Sequence, residues 1–254
     1  MLTKRELKYY SSLNKAKYRK LEQRFIVEGI KLVDEALNST FNCEIILISE
    51  TFAKTQSNTL SKYKHSTIVQ TIADTEFSTI ADTQTPQGIL AILEIPLQRY
   101  IDETREGIIV ALENVSDPGN VGTIIRTCDW FGIKDIVISS NSVDIYNPKV
   151  IRSTMGSLFH VNIYITENIY GTLKMLQKSG KDIICADMDG SDVYDFSKNE
   201  SSVLVFSNEA NGPTQKLREI SNSVITIPKY GNAESLNVAT AAAVIISEFA
   251  KHNK

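Results

Sequence analysis

The chain has 254 residues, a formal net charge of −3, 42% apolar and 22% charged residues, which is the balance of a globular protein. No apolar run approaches the roughly 18 residues that a bilayer span needs, and the N-terminal Lys4, Arg5 and Lys8 are followed by neither an apolar core nor a cleavage site, so a cytoplasmic protein outside the membrane is expected. Cys43, Cys128 and Cys185 show no CxxC spacing and His65, His160 and His252 are scattered. This excludes a disulfide framework, a zinc site and a histidine triad, and leaves buried, reduced thiols and no metal as the expectation.

In chain order, a basic helix comes first, within a segment, residues 1–31, that is basic throughout. They carry Lys4, Arg5, Lys8, Lys15, Lys17, Arg19, Lys20, Arg24 and Lys31 against Glu6, Glu22 and Glu28, so the acidic whole-chain balance hides a locally positive segment. Two readings stand for it: a solvated helix face, or a surface for RNA phosphates. A strand at 25–28, a helix at 31–37 and an apolar run at 44–48 follow, then short runs rich in β-branched residues at 67–69 and 88–93. These elements predict a compact α/β unit over 1–98. Between Ile95 and Gly107 the periodicity lapses, Pro96 enters and charge accumulates, which marks a boundary.

A second unit is expected over 107–254. Its near-continuous apolar runs IIVAL, IVIS, HVNIYI, DIICA, VLVF and VITI read as parallel strands covered on both faces, and LNVATAAAVIISEFA closes the chain as a helix. Ligands of such sheets sit at the carboxyl ends of strands. The loops there are ENVSDPGNVGTIIRTCDWFG, SNEANGP and PKYGNAESLNVA, all polar and glycine-bearing. The first lacks GxGxxG, which disfavours a dinucleotide-binding dehydrogenase. Taken alone, its DPGN is a turn with a helix cap, but three such loops in one domain suggest one site. DMDGSDVYDF, at 187–196, has its glycine at the fourth position and no glutamate at the twelfth, so a solvated connection is expected there instead of a calcium loop. Trp130 is expected in the core.

Asn114, Asp117, Pro118, Asn120, Gly122 and Arg126 in the first loop, Asn208, Glu209 and Gly212 in the second, and Ile227, Pro228, Gly231, Ser235, Leu236, Asn237 and Val238 in the third resemble the three signature motifs of the SpoU branch of the SPOUT RNA 2′-O-ribose methyltransferases. Order and spacing agree over about the last 150 residues, counted from Gly107. The run SLNKAKYRKLEQRFIVEGIKLVDEAL is similar to the small substrate-binding domain, related to ribosomal protein L30e, that precedes the catalytic domain in many members.

The resemblance implies an α/β catalytic domain with a deep trefoil knot, a homodimer sharing its active sites, and S-adenosylmethionine held by the knotted loops. It implies that Ser207, Asn208, Gly212, Ile227, Pro228 and Leu236 bind the cofactor, with the backbone of Ser207, Ile227 and Leu236 forming its cradle. It casts Arg126 on the reacting hydroxyl as base or electrostatic stabiliser, Asn114 as the group orienting that hydroxyl, Glu209 as support for Arg126 or the sulfonium, and Ser235 and Asn237 as anchors of loops or ribose. Lys15, Lys17, Arg19, Lys20, Arg24 and Arg152 are the expected RNA contacts, Arg152 with a plain salt bridge as the other reading. Two positions depart from the family pattern: Ser207 replaces a usual glycine, and could crowd the adenine pocket, and Lys229 replaces a usual methionine. Structured RNA is the expected partner, rRNA ahead of tRNA. A non-catalytic RNA-binding protein of the same fold remains an alternative, resting on Ser207, as does a small-molecule nucleotide transferase.

Overall fold

The computed structural model describes residues 2–56, 63, 67–98, 100–208 and 211–251, which form two compact units. The first comprises Met1–Leu97 together with Asp144–Phe159, and the second Gln98–Val143 with His160–Lys254. Sequence reading drew 107–254 as one block; the stretch Asp144–Phe159 instead packs with the first unit.

In the first unit the basic segment breaks into α1 (Lys4–Ser12) and α2 (Ala16–Glu22). A Thr3/Glu6 capping box starts α1, and the break follows where Leu13 enters the core and Asn14 donates to the Ile80 carbonyl at 2.7 Å. The sheet holds β1 (Arg24–Glu28), β2 (Cys43–Ser49), β3 (Ile68–Ile72) and β4 (Ile89–Glu94) in the order β1-β4-β2-β3. Only β2 and β3 run parallel. Helices α3 (Ile30–Leu37), α4 (Glu50–Thr55) and α5 (Asp74–Ile80) connect the strands. Leu13, Ile26, Leu47, Phe77, Leu90 and Ile92 form the core between sheet and helices. Against β1 lies α7 (Pro148–Thr154), flanked by Tyr146 on Phe25 and Phe159 on Phe41.

Two of the arginines expected to bind RNA are used inside this unit, which corrects the sequence expectation. Arg19 is 2% exposed; its Nε and Nη2 reach Asp144 Oδ2 at 2.9 and 2.6 Å, and Nη1 donates to the Leu13 carbonyl. A guanidinium buried in that way has no face left for a phosphate. Arg24 lies across the sheet with Glu44 and Glu94 both at 2.7 Å, so its charge is neutralised by carboxylates. Lys15, Lys17 and Lys20 remain exposed on α2.

The second unit is an all-parallel sheet in the order β10-β8-β9-β5-β6-β7. Its strands are β5 (Ile109–Glu113), β6 (Asp135–Ser139), β7 (Asn162–Thr166), β8 (Asp182–Asp192), β9 (Ser202–Ser207) and β10 (Ser223–Thr226). Every residue of β5, β6 and β9 is buried, as the unbroken apolar runs require of strands covered on both faces. Helices α6 (Pro118–Trp130), α8 (Ile169–Lys178), α9 (Gln215–Ile220) and α10 (Val238–Ala250) supply the cover, with α6 and α10 packed on each other. No helix among the described residues is long and apolar enough to cross a membrane. The cysteines are free; Cys128 and Cys185 are buried, and desolvation pushes the Cys185 thiol up to about 12.

Two expectations fail here. The aspartate-rich stretch is not simply a connection, because β8 runs on to Asp192 beside β10, with Arg218 paired to Asp187. Gly190 sits so close to β10 that an added Cβ would meet the Val224 carbonyl oxygen at 2.7 Å. Trp130 is 83% exposed, because it continues the outer stripe of α6 formed by Thr123, Arg126 and Thr127, opposite the buried Ile124, Ile125 and Cys128.

Removing the carboxylate that faces Arg19 leaves a buried cation without its counter-charge. Asp144→Ala is expected to lower unfolding free energy by about 3 kcal/mol in denaturant titration. A loss below about 1 kcal/mol would show the pair to be no more than a surface ion pair.

Candidate active site

The carboxyl ends of β5, β9 and β10 lie on one edge of the parallel sheet, and each leads into one polar loop. At the end of β5, Asn114 takes a left-handed backbone, φ +56°, which asparagine tolerates better than other side-chain-bearing residues. Its N–H donates to Ser139 Oγ at 2.9 Å, and that hydroxyl lies 3.4 Å from Asn114 Oδ1 and 3.0 Å from Ser142 Oγ. Asp117 caps α6 by accepting from the Asn120 N–H at 2.9 Å, and Pro118 takes the first helical position, where its missing N–H has no cost.

Direct hydrogen bonds join the other loops to the first. Asn208 Nδ2 donates to the Asn114 carbonyl at 3.1 Å and approaches Ser116 Oγ at 3.4 Å. Asn237 Nδ2 donates to Asn120 Oδ1 at 2.9 Å, while Asn237 Oδ1 caps α10 by accepting from Ala239 and Thr240. Gly212 holds φ +61° with open space where a Cβ would stand, and its N–H donates to the Asn208 carbonyl. Ile227 and Pro228 are half-buried, and 229–237 lies exposed, Leu236 at 48%.

Thus Asn114, Asn120, Asn208 and Asn237 belong to one constellation. Arg126 is exposed on α6 and has no hydrogen-bond or ion-pair partner among the described residues. Glu209 lies outside the described residues. Ser235 is exposed in the third loop. Arg152, on α7 in the first unit, pairs with Asp82 at 2.7 Å, which is the salt bridge that the sequence reading weighed second.

Sequence reasoning missed Glu113. It is 1% exposed at the last position of β5, opposite Ser207 in the register. Oε2 accepts from Ser207 Oγ at 2.8 Å and the Thr214 N–H at 3.2 Å; Oε1 accepts from Thr214 Oγ1 at 2.6 Å and Tyr170 OH at 2.8 Å. The signal was present as a lone acid ending the apolar run IIVALE, because a buried carboxylate must find donors. Ser207, the departure from glycine, therefore directs its hydroxyl to this carboxylate.

The chemistry of these loops suits an adenosyl sulfonium cofactor: half-buried apolar Ile227, apolar Leu236 open to solvent, and asparagines that can donate and accept. Residues 107–247 match the SpoU rRNA Methylase family, and residues 4–91 the MRM3-like substrate binding domain. The chain belongs to the SpoU rRNA methylase family. It is 30% identical over 242 residues to the 23S rRNA (guanosine(2553)-2′-O)-methyltransferase RlmP of Bacillus subtilis, covering 95% of this chain and 94% of that one. A TrmH-family structure from Porphyromonas gingivalis superposes with a TM-score of 0.86 at 33% identity, covering 98% of each chain. An AdoMet-bound rRNA methyltransferase from Sinorhizobium meliloti gives a TM-score of 0.84 at 29% identity, covering 99% of this chain and 96% of that one.

Asn237 serves both the α10 cap and the link to Asn120. Asn237→Ala is expected to reduce stability by about 1 kcal/mol in thermal denaturation, whereas Asn237→Asp, which keeps the cap acceptor, retains most of it. Equal losses in both variants would place the contribution in the Asn120 link.

Proposed function

We propose that this RNA 2′-O-methyltransferase modifies a ribose of 23S rRNA, acting as a cytoplasmic homodimer with S-adenosylmethionine bound in the 207–212 and 227–236 loops. The observation that carries the catalytic reading is the pair of bonds Asn208 to Asn114 and Asn237 to Asn120, which hold three loops distant in sequence at one place. The end-to-end match to a 23S rRNA methyltransferase supports the choice of RNA over the tRNA alternative.

When bound, S-adenosylmethionine supplies a methyl group on a cationic sulfur. The chain's own task is to bring a weakly nucleophilic ribose hydroxyl to it and to stabilise the negative charge that grows as the hydroxyl loses its proton. Arg126 fits the second role. A guanidinium stays protonated near neutrality, so it acts here through charge and hydrogen-bond donation to the oxygen. Asn114, fixed by Ser139, orients the hydroxyl, and Ser235 and Asn237 anchor the third loop. Asn208, Gly212 and Pro228 shape the cofactor loops around the backbone of Ser207, Ile227 and Leu236. Ser207 does not argue for a chain without turnover, since its hydroxyl is committed to Glu113.

On the first unit, read here as an L30e-like substrate-binding domain, Lys15, Lys17 and Lys20 provide exposed charge for phosphates. The trefoil knot has support in the path of the chain through the end of β8 and beyond it. Met188 and Val193 flank Thr226, whose Oγ1 donates to the Met188 carbonyl, and farther along Phe196 meets Phe249 and Lys198 meets Glu248 at 3.1 Å. One connection therefore touches the C-terminal segment both before and within α10. The dimer has support in Trp130, 83% exposed on the same outer stripe as Arg126. A second chain would bury that stripe and bring Arg126 to a shared site.

Arg126→Ala is expected to lower methyl transfer to 23S rRNA by at least about a hundredfold while calorimetry shows S-adenosylmethionine binding nearly unchanged. Full turnover in that variant refutes the assignment, and ribose-methylation maps identical with and without the gene refute the activity. Replacing Lys15, Lys17 and Lys20 together by alanine is expected to flatten the dependence of log K for RNA on log salt by about two to three units, roughly 0.7 to 0.9 per lost phosphate contact. An unchanged slope would place the RNA elsewhere.

A further inference from the structure

The second loop, 208–213, is bounded by Ser207 and Thr214, and both residues bond the same buried carboxylate. Glu113 Oε2 takes Ser207 Oγ and the Thr214 N–H, and Oε1 takes Thr214 Oγ1 together with Tyr170 OH from α8. Thr214 is also the N-cap of α9, accepting from the Leu217 N–H at 3.2 Å. One side chain thus ties the end of β5, the end of β9, the start of α9 and the face of α8. Its sequence neighbour Asn114 holds the same loop from the other side, through the carbonyl that Asn208 reaches.

We propose that Glu113 is a positioning residue for the cofactor: by fastening Ser207 and Thr214 it fixes the end of β9 and the start of α9, between which the cofactor-binding Asn208 and Gly212 lie. The proposal rests on the cofactor placement given above. It also gives Ser207 a purpose specific to this chain, since a glycine there would leave Oε2 with the Thr214 N–H alone. Four hydrogen bonds to a desolvated carboxylate, three of them 2.8 Å or shorter, polarise one another and restrict the loop ends more than contacts in water would. Anchor residues held in place before binding lose less entropy when the ligand arrives, and that difference reads out as affinity. Glutamine is the informative replacement. It keeps shape and volume but sets an amide donor among groups that already donate.

The test is calorimetry with S-adenosylmethionine and steady-state kinetics on intact protein, for wild type, Glu113→Gln, Thr214→Val and Thr214→Ser. Glu113→Gln is expected to weaken cofactor binding by about tenfold or more and to raise KM for the cofactor by a like factor, while KM for RNA stays within about twofold. Thr214→Val should follow it, and Thr214→Ser, which keeps the hydroxyl, should restore most of the affinity. The double variant Glu113→Gln/Thr214→Val should bind no more weakly than Glu113→Gln alone, as coupled partners require. If Glu113→Gln does not fold, the Val and Ser variants of Thr214 decide the matter by themselves. Folded variants that bind cofactor like wild type overturn the clamp while leaving the site intact. A wild-type protein that binds no S-adenosylmethionine overturns the cofactor placement, and the clamp with it.

Discussion

At the carboxyl end of β5 a buried negative charge and a left-handed residue follow each other directly, as Glu113 and Asn114. Neither is comfortable alone. A desolvated carboxylate is costly without donors, and a non-glycine residue at positive φ needs surroundings that hold it there. The second loop serves both: its bounding residues Ser207 and Thr214 supply donors to the first, and its Asn208, with Ser139 at the end of β6, secures the second. The second loop is therefore fixed by the same two residues that end the central strand. The third loop joins them through Asn237, which reaches Asn120 at the start of α6. Geometry at the site follows from satisfying polar groups at the rim of an otherwise apolar sheet.

The parts of this arrangement that were legible in the sequence are those that local pattern encodes. Near-continuous apolar runs gave β5, β6 and β9 within a residue or so, because burial on both faces leaves no alternation to misread. The polar loops stood out since each interrupts such a run with asparagine, glycine and proline. What stayed hidden depends on partners far along the chain. Arg19 looks like any basic helix residue until Asp144, 125 positions later, is brought beside it. Glu113 looks like the polar edge of a loop until β9 and α9 surround it. Trp130 looks like core because tryptophan usually is, yet the helical stripe running through Thr123, Arg126 and Thr127 carries it outward. β8 outran its apolar segment because β10 continues to pair with it beyond Cys185, across a register shift, where hydrophobicity gives no cue.

The division of labour among cations follows from chemistry as well as position. Arg19, Arg24, Arg105, Arg152 and Arg218 each pair with at least one carboxylate: Asp144, Glu44 and Glu94, Asp135, Asp82 and Asp187 respectively. A planar guanidinium with five donors suits that work, whereas an ammonium on a flexible stem keeps its hydration and serves better on a surface. The exposed lysines of α2 fit the second description. Against this background Arg126, like the exposed Arg5, has no acidic partner among the described residues. It sits on the helix that begins at the three-loop junction, and no described carboxylate neutralises it. Arg126 thus differs from the five paired arginines in leaving its positive charge open to solvent, on the helix that leaves that junction.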